Sequence, residues 1–419
     1  MAVARNGMKA ALDIGTSKIC CLIGLPAEGD GIRVAGIGHH ASRGVKSGSI
    51  VDMEAAEESI TAAVHAAERM AGEMVRDVVV GIAGAQPSSR LVDIQTALNG
   101  GPVCDSDLRR LLYNGTPETE PNRVLLHAIP VGYSIDGSNG IHDPRGLHGH
   151  TLAVHVHEIT ASATAIRNVT TCVERCHLNV SDVVANPYAA GLATLVPDEM
   201  ELGVTVIDMG GGATSFAVFL DGSPVFTGSV PVGGTHVTND IARGLATPLT
   251  HAERLKTLYG SALPSPSDER ETIIAPQVGE ALGSTGNQVP KSFLVSIVAP
   301  RIEEILELVR AELEAVGASR IAGRRVVLTG GACQLPGVPE LAVRLLDKQI
   351  RIASPAGFGG LAAATSGPAF AACAGLLRFA TEDTVDLRNH AGYRAPAADG
   401  LLACLGPLSR IGGWFRENL

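Results

Sequence analysis

The chain has 419 residues, a formal net charge of −10, 45% hydrophobic content and only 3% aromatic residues. That length holds two or more domains with a large core, 49 glycines suit a turn-rich α/β fold, and the acidic balance argues against nucleic acid as a general partner. Eight cysteines without a CxxC pair read as reduced thiols, and neither an apolar leader nor a run of about 18 apolar residues is present, so a cytosolic or peripheral protein is expected.

The first element, Ala10 to Gly24, is a buried apolar strand closed by Asp13, a turn at Gly15 and a second apolar strand. Gly44 to Asp52 is a turn, and Asp52 is a plausible N-cap for a helix over Met53–Ala71. Val78 to Gly84 is another buried strand. From Ala85 the character changes: short strands (Ser89–Gln95, Arg123–Tyr133, Thr151–Ile159) alternate with a polar helix (Ser106–Tyr113), which reads as a small inserted α+β module. Its histidines 142, 148, 150, 155 and 157 make a metal site conceivable, because His155 and His157 share a strand face. No third ligand has a fixed spacing, and such stretches are commonly solvated loops.

Ala163–His177 reads as a helix and Val180–Ala185 as a strand. The helix after Asn186 is rich in small residues, which suits either a close helix crossing at a hinge or a tightly packed core helix. Val204 to Phe219 then repeats the opening device. A buried strand ends at Asp208, Gly210, Gly211 and Gly212 form the turn, and an apolar strand resumes at Thr214. Three glycines remove every β-carbon from that turn, so backbone N–H groups can approach a phosphate. A carboxylate beside a phosphate makes sense when it holds Mg²⁺ directly or through water. Asp13 aligns with Asp208 and Gly15 with Gly210, a duplication that predicts two similar domains facing each other across one nucleotide.

Gly233 and Gly234 open a further helix, whose free N–H groups are placed to meet a phosphate. Glu253 and Lys256, one turn apart, are a surface ion pair or, if they line the cleft, ligands of ribose hydroxyls. Pro264–Gln288 reads as an exposed loop with one short strand. Ser296–Val316 is a long helix with an apolar stripe of Ile302, Ile305, Leu308 and Val309 opposite Glu303, Glu304, Glu307 and Arg310. A buried strand from Arg325 ends in Gly330 and Gly331, bare backbone against which a flat base can lie. Gly367–Arg378 is a second small-residue helix. Thr381–Gly400 has a linker composition. At the end, Leu408, Ile411, Phe415 and Leu419 fall on one helical face flanked by Trp414, with Arg410 and Arg416 supplying positive charge. An interfacial amphipathic helix is expected there, ordered on contact with lipid.

With both D-x-G turns, the two small-residue helices and the Gly-Gly turn in place, the chain resembles the actin/sugar-kinase/heat-shock ATPase superfamily. Within it, the chain is most similar to the FtsA family of bacterial cell-division proteins. The motifs that carry the likeness are Asp13 to Lys18, Gly48 to Asp52, Asp208 to Gly212, Ala252 to Lys256 and Leu328 to Ala332. The resemblance implies an α/β fold of duplicated, ribonuclease-H-like actin-type domains around a nucleotide cleft. It adds Thr16, Ser17 and Lys18 to the nucleotide-site residues Asp13, Gly15, Asp208, Gly210, Gly211, Gly212, Gly233, Gly234, Glu253, Lys256, Gly330 and Gly331, with ATP and Mg²⁺ as cofactors.

The implied division is a first lobe over 8–84, an inserted small subdomain over 85–163 and a return to the first lobe over 164–200. The second lobe spans 201–240, a second small subdomain 241–320, and the return to the second lobe 321–365. A hinge helix over 366–380, a linker over 381–407 and a membrane-targeting helix over 408–419 complete the chain. Carried over, the likeness implies a filament-forming adaptor at the cytoplasmic face of the cell membrane at the division septum. It would bind copies of itself, the bilayer surface, other division proteins and the C-terminal peptide of the tubulin-like protein FtsZ, the last through Arg301 and Glu304. The helix after Asn186 offers no Gln or acid to position a water, so slow hydrolysis at most is expected. Two alternatives share the site: a soluble small-molecule kinase and a pilus-assembly ATPase.

Overall fold

The computed structural model describes residues 7–27, 31–113, 115, 120–279, 286–318, 322–382 and 384–389. The first lobe is built on a six-stranded sheet in the order β11 (Asn179–Ala185), β6 (Asp77–Ile82), β1 (Lys9–Ile14), β2 (Lys18–Pro26), β3 (Ile32–Ala41) and β19 (Phe358–Gly359). Unbroken apolar runs place β1 and β6 in its interior, where both faces are covered. A small hairpin of β4 (Val45–Lys46) and β5 (Ser49–Ile50) leads to α1 (Met53–Ala71), capped by Asp52, whose Oδ1 accepts the Ala55 N–H at 3.2 Å. Helix α1 lies on β3 with almost no gap. A β-carbon at Gly38 would sit 1.9 Å from the Ala63 carbonyl oxygen.

The second lobe repeats the plan with a five-stranded sheet in the order β14 (Ser223–Val230), β13 (Thr214–Leu220), β12 (Val204–Met209), β17 (Arg325–Thr329) and β18 (Gln349–Ile352). Between the two sheets lie α4 (Asn186–Thr194) and α10 (Ala371–Thr381). Their small residues do serve a close crossing: a β-carbon at Gly375 would fall 1.7 Å from the Ala189 carbonyl oxygen. Ala11, Leu22, Val206, Ala217 and Phe219 from both sheets share one core with these helices. The packing of the two lobes is therefore continuous.

The inserted module is a four-stranded antiparallel sheet in the order β7 (Ser88–Ala97), β10 (Thr151–Ser162), β8 (Arg123–Ile135) and β9 (Ser138–Ile141), covered by α2 (Asp105–Tyr113). Alternation decides its inner face: Leu152, Val154 and Val156 of β10 meet Leu108, Leu111 and Leu112 of α2. Helix α3 (Ala163–Arg175), begun by the Ser162 cap, returns the chain to the first lobe. The short α5 (Pro197–Leu202) joins α4 to β12.

The second small subdomain comprises α6 (Gly234–Gly244), α7 (Leu249–Tyr259), a hairpin of β15 (Thr272–Ala275) and β16 (Asn287–Pro290), and α8 (Lys291–Ala315); α9 (Val338–Leu346) packs beside α8. The loop over Pro264–Gln288 holds the one short strand expected of it, β15, and differs in that β15 pairs with β16 at the loop's end. The apolar stripe of α8 also differs from expectation. Leu306, not Leu308, joins Ile302, Ile305 and Val309 in the core, because at 100° per residue Leu308 falls far round from Ile302 and is left exposed.

A larger difference concerns the linker expected over 381–407. Residues 384–389 are packed, ending in a single 3₁₀ turn (Leu387–Asn389), and Leu387 joins the core of the inserted module. Their charges are satisfied by partners in the fold rather than by water. The amphipathic stretch with Leu408, Ile411, Trp414, Phe415 and Leu419 lies outside the described residues. Among the described residues no helix is long and apolar enough to cross a membrane.

Candidate nucleotide cleft

The turns after Asp13 and Asp208 have the same geometry. The Gly15 N–H donates to the Lys18 carbonyl at 3.1 Å, and the Gly210 N–H donates to the Ala213 carbonyl at 3.1 Å. A β-carbon at either glycine would stand 2.8 Å from that same carbonyl oxygen, which explains why both positions carry glycine. Two different sequences, Gly-Thr-Ser-Lys and Gly-Gly-Gly-Ala, thus make one turn.

The two turns meet tip to tip. A β-carbon at Gly211 would lie 2.9 Å from Ser17 Cβ, and one at Gly212 would lie 2.3 Å from Thr16 Oγ1 and 2.8 Å from Ser47 Cα. Thr16 Oγ1 also accepts the Gly48 N–H at 2.9 Å, so the β4–β5 hairpin braces the first turn.

Helix α6 braces the second turn, though not as its sequence suggested. The Gly234 and Thr235 N–H groups at its start are not free; they donate to the carbonyls of Gly210 (2.9 Å) and Gly211 (2.7 Å). In a planar trans peptide the N–H points opposite to the C=O, so these bonds turn the amides of Gly211 and Gly212 away from the helix. Those two amides have no acceptor among the described residues. The helix start therefore offers neither of these N–H groups to an anion, and the unpartnered amides are those of the glycine turn it holds.

Asp13 and Asp208 are both nearly buried. Burial raises the Asp13 carboxyl, opposed by the 2.9 Å hydrogen bond from Asn186 Nδ2 and by Lys18. Burial and the neighbouring Asp13 charge push Asp208 up to about 7, with Lys18 acting against them. Two buried acids that repel each other are a donor set suited to a divalent cation, and the unpartnered amides beside them suit phosphate oxygens. A divalent cation held between them would supply the charge that lets both carboxylates stay ionised beside a phosphate. Lys18 Nζ donates to the Ala369 carbonyl and lies 3.5 Å from the Phe370 ring centroid.

The expected nucleoside residues fall into one neighbourhood. Lys256 Nζ donates to Glu253 Oε2 (2.6 Å), Thr238 Oγ1 (2.9 Å) and the Gly234 carbonyl (3.1 Å). A β-carbon at Gly234 would stand 3.2 Å from Ala332 Cβ, so the α6 start, α7 and the 330–332 turn converge. The two glycines of that turn differ. Gly330 has φ +87° and lies against the second glycine turn, where a β-carbon would come 2.4 Å from Asp208 Oδ1; Gly331 faces open space apart from Ala369.

Asn186 and Thr238 were not legible as site residues. Asn186 bonds Asp13, 173 residues away, and Thr238 of α6 bonds Glu253 and Lys256 of α7. Arg301 and Glu304 lie outside the cleft on α8, where Arg301 bonds Asp240 of α6 (Nε–Oδ2 2.5 Å) and Glu304. The histidines do not gather. His155 bonds Asp93 at 2.6 Å, while His157, on the same strand face, is sealed in against Pro224 of β14. No group of three metal-ligating side chains occurs among the described residues.

A duplicated α/β fold whose two strand–turn–strand units close on one cleft is an actin-like fold, and solved structures agree. The type IV pilus complex PilM–PilN contains a chain that matches with a TM-score of 0.61 at 17% identity, covering 89% of this chain and 98% of that one. MreB5 of Spiroplasma citri, solved bound to ADP, matches at 0.51 and 15% identity over 88% of this chain and 95% of its own. The family model "Cell division protein FtsA" matches residues 205–375, and "SHS2 domain inserted in FTSA" matches residues 84–160. Cell division protein FtsA of Rhizobium meliloti is 43% identical across 99% of this chain and 95% of its own length. The FtsA proteins of Neisseria meningitidis (35%; 94% and 96% covered) and Escherichia coli K12 (30%; 97% and 97%) are also similar throughout. The chain belongs to the FtsA family of cell-division proteins.

Proposed function

We propose that the cleft binds one ATP with Mg²⁺, and that the nucleotide serves mainly as a conformational ligand for a division adaptor. The observation that carries the nucleotide reading is the pair of equivalent turns, Gly15–Lys18 and Gly210–Ala213, meeting tip to tip beside Asp13 and Asp208. In this reading the amides of Thr16, Ser17, Gly211 and Gly212 take phosphate oxygens and Lys18 leaves the Ala369 carbonyl to join them. Asp13 and Asp208 hold Mg²⁺ through water. Glu253 and Lys256 bind the ribose, with Gly233, Gly234, Gly330 and Gly331 lining the nucleoside pocket. Asn186 donates its amide to Asp13 and offers no base, which favours slow hydrolysis.

The adaptor part rests on family membership and on the terminal stretch. ATP-bound copies assemble into filaments, the α8 surface around Arg301 and Glu304 receives the FtsZ C-terminal peptide, and residues 408–419 attach the chain to the cytoplasmic membrane face at the septum. Arg301 is already held by Asp240, which lowers the entropy lost when a carboxylate-bearing peptide binds it. Several copies on one filament multiply a weak lipid affinity, on the order of 10² or more.

Vesicle co-sedimentation with FtsZ and Mg–ATP tests this, comparing the full chain with one truncated after Pro407. The full chain is expected to bring FtsZ down with anionic vesicles and the truncated chain to leave it in the supernatant. FtsZ sedimenting equally with both contradicts the tether.

A further inference from the structure

The docked segment 384–389 is joined to the cleft by a continuous line of buried polar contacts. Asp386 Oδ1 accepts the Ala128 N–H (3.0 Å) and the Arg388 N–H (3.1 Å), and its Oδ2 accepts Arg388 Nε (2.8 Å). Arg388 reaches on to Asp182 Oδ2 of β11 at 3.0 Å. The remaining partner of Asp386 Oδ2 is His127 Nδ1 at 2.9 Å, and His127 is fully buried.

His127 Nε2 accepts the Ala185 N–H at 3.2 Å, so Nε2 is bare and the proton sits on Nδ1, donated to Asp386. Tyr188 and Phe379 pack edge-on against the imidazole with centroids 5.3 and 5.8 Å away, which leaves the ring one orientation. Ala185 is the N-cap residue of α4. The next residue, Asn186, donates to Asp13 Oδ1 at 2.9 Å. Burial works to raise the Asp386 carboxyl, but the Arg388 charge and the His127 and Ala128 bonds hold it down at about 2.

We propose that Asp386 and His127 are positioning residues of the nucleotide cleft: segment 384–389 fixes His127, His127 fixes the start of α4, and Asn186 there fixes Asp13. The inference rests on the reading of Asp13 as a nucleotide-site carboxylate. By linkage, whatever factor the docking of 384–389 adds to nucleotide affinity, bound nucleotide adds to that docking, so the cleft's occupancy is felt in the inserted module. Breaking the line at either end has the same consequence at the other.

The test uses the full chain, with amide exchange read on peptides holding Ala128 and Ala185. Mg–ATP is expected to slow exchange at both amides, and Asn186→Ala to abolish that response at Ala128. Asp386→Asn is expected to weaken ATP binding at least about fivefold, the lower end of common coupling energies. In nucleotide-free protein, Asn186→Ala and Asp386→Asn combined should lower the melting temperature by less than the sum of their separate losses. ATP binding that leaves Ala128 exchange unchanged, or Asp386→Asn binding ATP like the parent, overturns the proposal. If the parent chain binds no ATP, the nucleotide reading fails, and the unfolding cycle still decides: additive losses sink the relay. If Asp386→Asn does not fold, Asn186→Ala read at Ala128 decides alone.

Discussion

The turn at Gly15 and the turn at Gly210 share a hydrogen bond and a steric limit, yet they are held by different means. The first is braced by side chains: Thr16 accepts from Gly48, and Asn186 clasps Asp13. The second is braced by backbone. Two N–H groups of α6 hold its carbonyls, and Gly330 lies so close to Asp208 that no side chain fits between. Both carboxyls are buried, but Asp13 has a side-chain donor that Asp208 lacks among the described residues. A duplicated unit can thus keep its backbone while its supports diverge. Here the first copy is wired through side chains to distant elements and the second is a rigid glycine platform.

The contrast is sharpest at Gly212, where even one methyl meets Thr16 and the Ser47 backbone. Gly212→Ala is expected to hold the turns apart at about 2–3 kcal/mol, or roughly 30- to 150-fold in ATP affinity, measured by calorimetric titration. Gly330→Ala comes next. Its left-handed backbone and the contact with Asp208 Oδ1 predict a loss of about 2 kcal/mol of stability, with weaker Mg²⁺-dependent ATP binding. A melting temperature unchanged in Gly330→Ala shows that the platform is not rigid.

On the side-chain-wired turn the effects are smaller. Asp386 has a folded-state pKa of about 2 against an unfolded value near 3.9, so its contribution is present above about pH 4 and is lost as pH falls toward 2. Urea unfolding of the parent and of Asp386→Asn should therefore differ by on the order of 2 kcal/mol more at pH 7 than near pH 2. A constant difference removes the carboxylate from the account. Thr16→Ala, which leaves the Gly48 N–H without its acceptor, is expected to cost about 1 kcal/mol, read from the same unfolding curves.

What could be read in the sequence was local. Strand-ending aspartates followed by glycines mark both turns because the close backbone approach leaves no other residue room. The inserted module showed in short strands alternating with a polar helix, and the α4–α10 crossing in runs of small side chains. What could not be read depends on partners distant in sequence. The charges of Asp386 and Arg388 signalled a solvated linker, yet His127 and Asp182, 259 and 206 residues away, make them core residues. Leu306 and Leu308 are alike in composition and differ only in angle around α8. The α6 start carried an anion-site signature, but its N–H groups are spent on the turn beside it. Asn186 looked like the first residue of a packing helix, and only the fold brings it to Asp13.

The proposed function requires that the two equivalent turns close on one nucleotide. Calorimetric titration of the full chain with ATP, with and without Mg²⁺, tests it most directly. One ATP per chain, bound with Mg²⁺ and lost in Gly212→Ala, is the predicted result. Absence of binding by the parent chain, or undiminished binding by Gly212→Ala, contradicts it.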